Sequence, residues 1–329
     1  MKRWMLKILG IALLGSILLG SLVGCFSKNE QARRFGEWMA PNGKVKVLST
    51  IAQIGDLVEE IGGERVDSWV LISGDLDPHS YELVKGDDEK LSRADAIFYN
   101  GLGLEHGASL SSSLQRHPKG LALGDLIKHN LSQKILVKRQ SVDPHIWMDI
   151  SLWKEAVDPI AEHLISIDPE GESTYRMRAI QLKNKMDQAH LEILSILQKV
   201  PSEKRYLVTS HDAFHYFTKA YLADLLEGGA WIERVAAPEG LAPDGQLNPT
   251  DILGIIDYLR SKKISVIFPE SNVSRDSIKK IVSAGREMGL EIHICSEVLY
   301  GDAMGKQGNL HYLDMMRHNA DVISRHLEE

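Results

Sequence analysis

The stretch Glu172–Val200, ESTYRMRAIQLKNKMDQAHLEILSILQKV, decides how the rest of the chain is read. Its apolar residues Tyr175, Ala179, Leu182, Met186, Ala189, Ile193, Ile196 and Val200 recur at steps of three and four, the period of one helical face. Arg176, Arg178, Lys183, Lys185, Asp187 and Glu192 lie between them and suit water, and no Gly or Pro interrupts the run. Pro169 and Gly171 punctuate its start and Pro201 its end. At 1.5 Å per residue such a helix is roughly 40 Å long, the width of a whole domain. The competing reading is an ordinary long helix on a single core. Similar strand-and-helix patterns on both sides, with candidate metal ligands divided between them, favour a helix that joins two lobes.

On the N-terminal side, Val45-Lys46-Val47-Leu48 alternates as a strand, Ile51 to Ile61 follows as a helix ending at Gly62-Gly63, and Asp67 to Ile72 forms a second strand. That strand empties into Ser73-Gly74-Asp75-Leu76-Asp77-Pro78-His79. A polar helix from Gly86 to Arg93 leads to a third strand, Ala96 to Tyr99, and the turn Asn100-Gly101-Leu102-Gly103. On the C-terminal side the pattern repeats, with strands at 206–209, 264–268 and 292–295. Helices are expected at 211–222, 250–260, 274–288 and 310–326, and a Gly- and Pro-rich passage at 228–249. Strands alternating with helices predict an α/β fold with parallel sheets and crossover helices, in which ligands collect at the carboxyl ends of the strands. The expected layout is an N-terminal lobe over 44–168, a connecting helix over 169–200 and a C-terminal lobe over 201–329.

The chain opens with Lys2, Arg3 and Lys7, continues without charge from Ile8 to Ser21, and reaches Leu22-Val23-Gly24-Cys25. A basic start, a short apolar core and a small-residue exit read as a signal peptide over 1–24 rather than a membrane-spanning helix. The Leu-Val-Gly-Cys ending resembles the lipobox of bacterial lipoproteins, which predicts lipidation of Cys25 and a polar tether over 25–43. Cleavage there moves the formal charge from −7 to −10, because the segment carries three cations and no acid. Such an acidic chain is a poor partner for nucleic acid. Only Cys295 then remains as a thiol, so no internal disulfide is available, and its apolar surroundings read as core packing.

Two loops share a tripeptide, Asp77-Pro78-His79 and Asp143-Pro144-His145. Proline fixes its own φ and pushes the preceding Asp towards extended conformations, so each imidazole stands on a stiff turn, suited to a transition metal. Ser210-His211-Asp212-Ala213-Phe214-His215 offers two more imidazoles four apart. Glu270, ending a strand, and Asp302 are the acidic candidates, and each carboxylate has a competing reading as a helix cap. The serines Ser109, Ser111, Ser112 and Ser113 read as loop or cap. No dinucleotide fingerprint, phosphate loop, His-Glu-x-x-His or nucleophile elbow is present.

Asp77-Pro78-His79-Ser80-Tyr81-Glu82, Asn100-Gly101-Leu102-Gly103-Leu104-Glu105, Asp143-Pro144-His145-Ile146-Trp147, His211-Asp212-Ala213-Phe214 and Asn319 together resemble the metal-specific solute-binding lipoproteins of ABC transporters, cluster A-I or family 9. Gly74 to Leu110 is most similar to the chlamydial periplasmic metal-binding member. The resemblance implies two α/β lobes joined by one long rigid helix, with zinc, manganese or iron held in the cleft between them. By position it implies His79, His145, His211 and Asp302 as ligands, Glu270 beside them as support or alternative ligand, and His215 as a non-ligand. It further implies a permease partner, a lipid-anchored extracytoplasmic location, a monomer, and no catalytic activity. Two departures stand out. The His- and acid-rich loop of many zinc-specific members is missing between Glu105 and His145, and His106-Gly107-Ala108 replaces an aromatic that follows Glu105 in the family.

Three imidazoles and one carboxylate make a nearly closed site, which suits holding a metal rather than turning over a substrate. Both oxygens of Asp302 binding would raise the coordination to five. The rival readings are a surface adhesin or structural lipoprotein stabilised by its metal, and a metallohydrolase with Glu270 or Glu239 as general base. A single stiff connecting helix also predicts loop and ligand shifts near His211 and Asp302 on metal capture, rather than a wide hinge opening.

Overall fold

In the computed structural model, which describes residues 33–138, 140–243, 249–305 and 310–328, the alternation at Val45 becomes β1 (Val45–Ser49), an inner strand of a four-stranded parallel sheet. The expected signal peptide, Cys25 and the first part of the tether lie outside the described residues. The chain divides at Lys44. The preceding unit contains a short helix, α1 (33–39), with an exposed Arg33–Glu37 ion pair, and everything from Val45 onward forms the other unit.

β2 (Val66–Val70), β3 (Ala96–Tyr99) and β4 (Gly120–Ala122) complete the order β2-β1-β3-β4. Helices α2 (Ala52–Gly62), α3 (Asp87–Arg93), α4 (Ala108–Arg116) and α5 (Leu123–Asn130) alternate with the strands or follow them. As in other parallel sheets covered on both faces, β1 is buried throughout. This includes Lys46, whose ammonium pairs with Asp67, its register partner on β2. The chain leaves β1 for β2 on one side and returns to β3 on the other, so a crevice opens between the carboxyl ends of β1 and β3. Glu105 sits there, accepting from the Thr50 hydroxyl at 2.6 Å and from the Asn100 and Gly101 amides at 2.8 and 3.0 Å. A small antiparallel hairpin, β5 (Val137–Lys138) and β6 (Ser141–Val142), precedes α6 (Ile150–Trp153) and α7 (Val157–Ile167).

The long helix α8 (Glu172–Leu197) buries Tyr175, Ala179, Leu182, Met186, Ala189, Ile193 and Leu197. Leu197 takes the last place expected for Ile196. A straight helix drifts by about 20° per heptad against a strict seven-residue repeat, so the buried face slips to a second step of four near the end. The stripe packs on α2 and α7 from the preceding sequence and on α12 (Tyr312–Glu328) from the following sequence.

Beyond α8, β7 (Leu207–Val208) pairs in parallel with β8 (Val235–Ala236), and β9 (Val266–Ile267) with β10 (His293–Ile294). The Phe268 amide joins the two pairs by donating to the Val208 carbonyl at 2.8 Å. β9 is shorter than the expected 264–268 at both ends: the Ile264 amide is taken by the Leu259 carbonyl, and Pro269, beyond Phe268, has no N–H to donate. The helix expected from His211 begins only at His215, as α9 (His215–Phe217), which runs into a π turn over Thr218–Leu222. α10 (Pro249–Lys262) and α11 (Asp276–Glu287) precede α12. Strand β8 lies inside the passage read as Gly- and Pro-rich, and the serine cluster belongs to α4. Cys295 is buried, its amide donating to Ile267 at 2.8 Å. No helix among the described residues is long and apolar enough to cross a membrane.

The stripe on α8 makes a testable contrast. Met186→Ala, at a fully buried position, lowers unfolding free energy by about 2–5 kcal/mol. Met177→Ala, on the exposed face, changes it by less than about 0.5 kcal/mol. Urea denaturation distinguishes them, and equal effects would mean that the stripe does not carry the packing.

Candidate metal centre

Each residue read as a ligand reaches the centre from a loop at the carboxyl end of a strand or from a tight turn. The two Asp-Pro-His turns fold alike: the Asp77 carboxylate accepts the His79 amide at 2.9 Å, and the Asp143 carboxylate accepts the His145 amide at 3.0 Å. The Asx bond turns the imidazole inward, which is the stiffness that the proline implied. The Asn100 side chain donates to the Pro144 carbonyl at 3.0 Å, so the turn braced by Glu105 also braces the His145 turn.

His211 follows β7. Glu270, which follows β9, accepts the backbone amides of Ser210 and His211 at 3.0 and 2.9 Å, and the Thr209 hydroxyl donates to the His211 carbonyl. These bonds hold His211 in a loop and delay the helix to His215. Asp302 is placed by backbone contacts. Gln53 on α2 donates to the carbonyls of Gly301 and Asp302 at 3.3 and 3.0 Å, and the Trp147 indole donates to Gly301 at 3.0 Å. Two residues earlier, Asn319 on α12 clamps Tyr300 by accepting its amide and donating to its carbonyl.

The donor atoms of His79, His145, His211 and Asp302 all lie within 4.8 Å of one another, in residues at most 3% exposed. Asp302 Oδ2 is 3.1 Å from His211 Nε2 and 3.5 Å from His79 Nε2, and Oδ1 is 3.3 Å from His145 Nε2. His79 Nε2 and His145 Nε2 are 3.3 Å apart. Four ligands about 2.1 Å from a metal at tetrahedral angles stand ~3.4 Å from each other. Neither Asp302 oxygen makes a hydrogen bond of good geometry. Buried polar atoms are rarely left so, and the cluster could hold a metal ion.

Behind the cluster, His145 Nδ1 is 2.8 Å from Asp143 and His211 Nδ1 is 2.7 Å from Glu270. Carboxylates at Nδ1 fix the ring and leave Nε2 facing the cluster, available to a metal. Glu270 therefore stands behind His211, on the far side of its ring from Asp302. His215 lies apart, with Nδ1 3.5 Å from the second Asp143 oxygen and Nε2 3.4 Å from Lys138, whose ammonium also pairs with Asp212. The carboxylate of Glu239 accepts from Ser277 at 2.5 Å.

Burial lowers the pKa of His79 below 6.5, against the pull of Asp302. In His145 burial acts the same way but is outweighed by Asp143 and Asp302, which lift it to about 9. His211 is raised well above its usual value, Glu270 and Asp302 overcoming burial. Asp302, despite burial, is held well below the usual carboxylate range, first by His211.

Gln53 and Gly301 carried no sequence signal of their own. A Cβ on Gly301 would meet Glu270 Oε2 at 2.4 Å, so only glycine lets this loop lie on the Glu270 carboxylate.

Among known proteins, the family profile described as zinc-uptake complex component A, periplasmic, matches residues 47–326. The metal-binding protein YtgA of Chlamydia pneumoniae is 38% identical over 288 residues, 87% of this chain and 86% of that protein. The manganese-binding lipoprotein MntA of Bacillus subtilis is 32% identical over 292 residues, 87% of this chain and 90% of that one. The crystal structure of Fe(III)-bound YtgA from Chlamydia trachomatis superposes with a TM-score of 0.82 at 36% identity, covering 86% of this chain and 98% of that one.

Three outcomes follow from this geometry. With His145 and His211 protonated in the metal-free protein, binding one divalent ion at pH 7 releases about two protons, measured by calorimetry in buffers of different ionisation enthalpy. Because the folded pKa of His145 is raised, its protonation stabilises the metal-free fold fully below pH 6.5, and this contribution is lost as pH rises through about 9. Separately, Gly301→Ala displaces Glu270 and weakens metal binding by about 10–100-fold in chelator competition.

Proposed function

The chain belongs to the family of periplasmic zinc-uptake complex component A, and on that premise we propose that it captures a divalent transition metal on His79, His145, His211 and Asp302 and delivers it to an ABC permease. The observation that carries this reading is the buried carboxylate of Asp302, set 3.1–3.5 Å from three imidazole nitrogens with no hydrogen bond of its own. Such a donor set binds zinc, manganese or iron, and intrinsic affinity favours zinc over the other two. Both Asp302 oxygens face imidazole nitrogens, which suits five donor atoms as well as four. The related proteins named above are described as binding manganese or iron(III).

The protein is a receptor rather than an enzyme. Four protein donors suit holding a metal rather than activating a water, Glu270 pairs with His211, and Glu239 pairs with Ser277. In this reading the lobes run over 44–168 and 201–329, joined by 169–200. The packing of α8 on helices from both halves of the sequence supports that layout. The mature protein is a monomer outside the cytoplasm, anchored to the membrane through lipid on Cys25. The lipobox-like sequence and the lipoprotein relative support the anchor.

A ligand that binds only the native state stabilises it by RT ln(1 + [L]/Kd), about 2.7 kcal/mol at a hundredfold excess over Kd. The metal-stripped protein therefore gains a saturable rise in unfolding temperature with manganese, ferrous iron or zinc. His79→Ala and Asp302→Ala lose that rise while still folding cooperatively without metal. If the unsubstituted protein gave no shift with any of the three metals, the site would not be a capture site.

A further inference from the structure

A fourth imidazole stands at the edge of the centre. His106 is exposed, and its donor atoms are not part of the cluster. Its ring centroid nevertheless lies 5.6 Å from that of His79, at an interplanar angle of 54°. The rings within the centre are separated by 5.3, 5.4 and 6.2 Å, and His79 meets His145 at 51°. In distance and tilt, His106 stands to His79 much as His145 does, while the other two ring pairs of the centre meet more steeply, at 72° and 84°. Among the described residues, it is the exposed imidazole in ring contact with any of the three.

The nitrogen bookkeeping matches too. His106 Nδ1 lies 3.2 Å from the Gly103 carbonyl, which can only accept, so a neutral ring is protonated there and keeps its lone pair on Nε2. Asp143 and Glu270 likewise stand at Nδ1 of His145 and His211, which turns Nε2 of each towards the centre. The position is also built. Glu82, three residues after His79, accepts the amides of Ala108 and Ser109 at 2.7 and 2.8 Å, and the Leu83 amide donates to the Ser109 hydroxyl at 2.8 Å. Gly107 lies so close that a Cβ would meet the Tyr81 carbonyl at 2.0 Å. The loops bearing His79 and His106 are thus fastened into one piece.

A metal held by four buried donors cannot leave by letting water replace them all at once, because water does not reach them. It leaves fastest if one protein ligand takes over as another lets go. Resting on the capture reading above, we propose that His106 is a transient exchange ligand. Incoming metal meets His106 Nε2 first and passes to His79, and outgoing metal takes the reverse path.

The test is stopped-flow kinetics on the mature protein with Zn2+ alone, followed through the fluorescence of Trp147, whose ring lies 5.3 Å from His145. Association is measured with free ion and release with excess chelator at several concentrations. His106→Ala and His106→Phe are each expected to slow entry and release about tenfold, leaving Kd within about twofold of the unsubstituted protein. Faster or unchanged exchange in His106→Ala would make His106 a cover or a bystander. Full speed in His106→Phe would reduce it to ring packing, and a tenfold weaker Kd would make it a resting ligand. Each of these overturns the proposal. Absence of any saturable Zn2+ signal in the unsubstituted protein would instead remove the capture reading on which it rests.

Discussion

A carboxylate and three imidazole nitrogens crowded together away from water form the constraint on which the surrounding structure depends. Taking an ion out of water costs several kcal/mol unless its charge is answered at close range. Here the four groups answer one another across the cluster, two of the rings are answered again from behind, and the other two members are held through their backbone. Asp143 and Glu270 stand behind two of the rings, the Asp77 turn sets the third, and Gln53, Trp147 and Asn319 hold the backbone at and before Asp302. These partners come from distant parts of the sequence. The centre exists only when the sheet ends, α2, α8 and α12 are assembled.

Much of this was legible in the sequence where the signal is local. The repeated Asp-Pro-His tripeptide contains its own turn, the Asp accepting the His amide in both copies, so two imidazoles could be read without tertiary information. The stripe on α8 was legible because six of its seven buried positions follow one period, the seventh, Leu197, lying one residue past the expected Ile196. Asp302 could not be read this way. It stood among the acidic candidates, but its place beside the imidazoles depends on backbone contacts from residues more than 150 positions away, and its assignment as a ligand came from resemblance to a family. Gln53 was invisible for the same reason. The misplaced helix at His211 shows the reverse failure: local pattern favoured helix, and a carboxylate 59 residues downstream captured the amides that would have started it.

The hairpin β5–β6 shows how the halves of the sequence are tied around the centre. Lys138 pairs with Asp212, next to His211, and the Tyr216 hydroxyl donates to Asp143 at 3.1 Å and accepts the Leu136 amide at 2.9 Å. His215, though not a member of the cluster, sits between Asp212 and Asp143. It therefore contributes to the same ties, in a position that its spacing from His211 alone would have misassigned.

Asp143 raises the pKa of His145 and Glu270 that of His211, which favours a proton on each ring in the empty centre and has an electrical consequence. An empty centre with two imidazolium rings and a filled centre with a dication and neutral rings carry the same total charge. Filling it is an electroneutral swap, and beyond a screening length of about 8 Å the two forms cast the same field. With both rings protonated, charge alone does not distinguish loaded from empty copies at a distance. Sorting has to happen on contact, through shape.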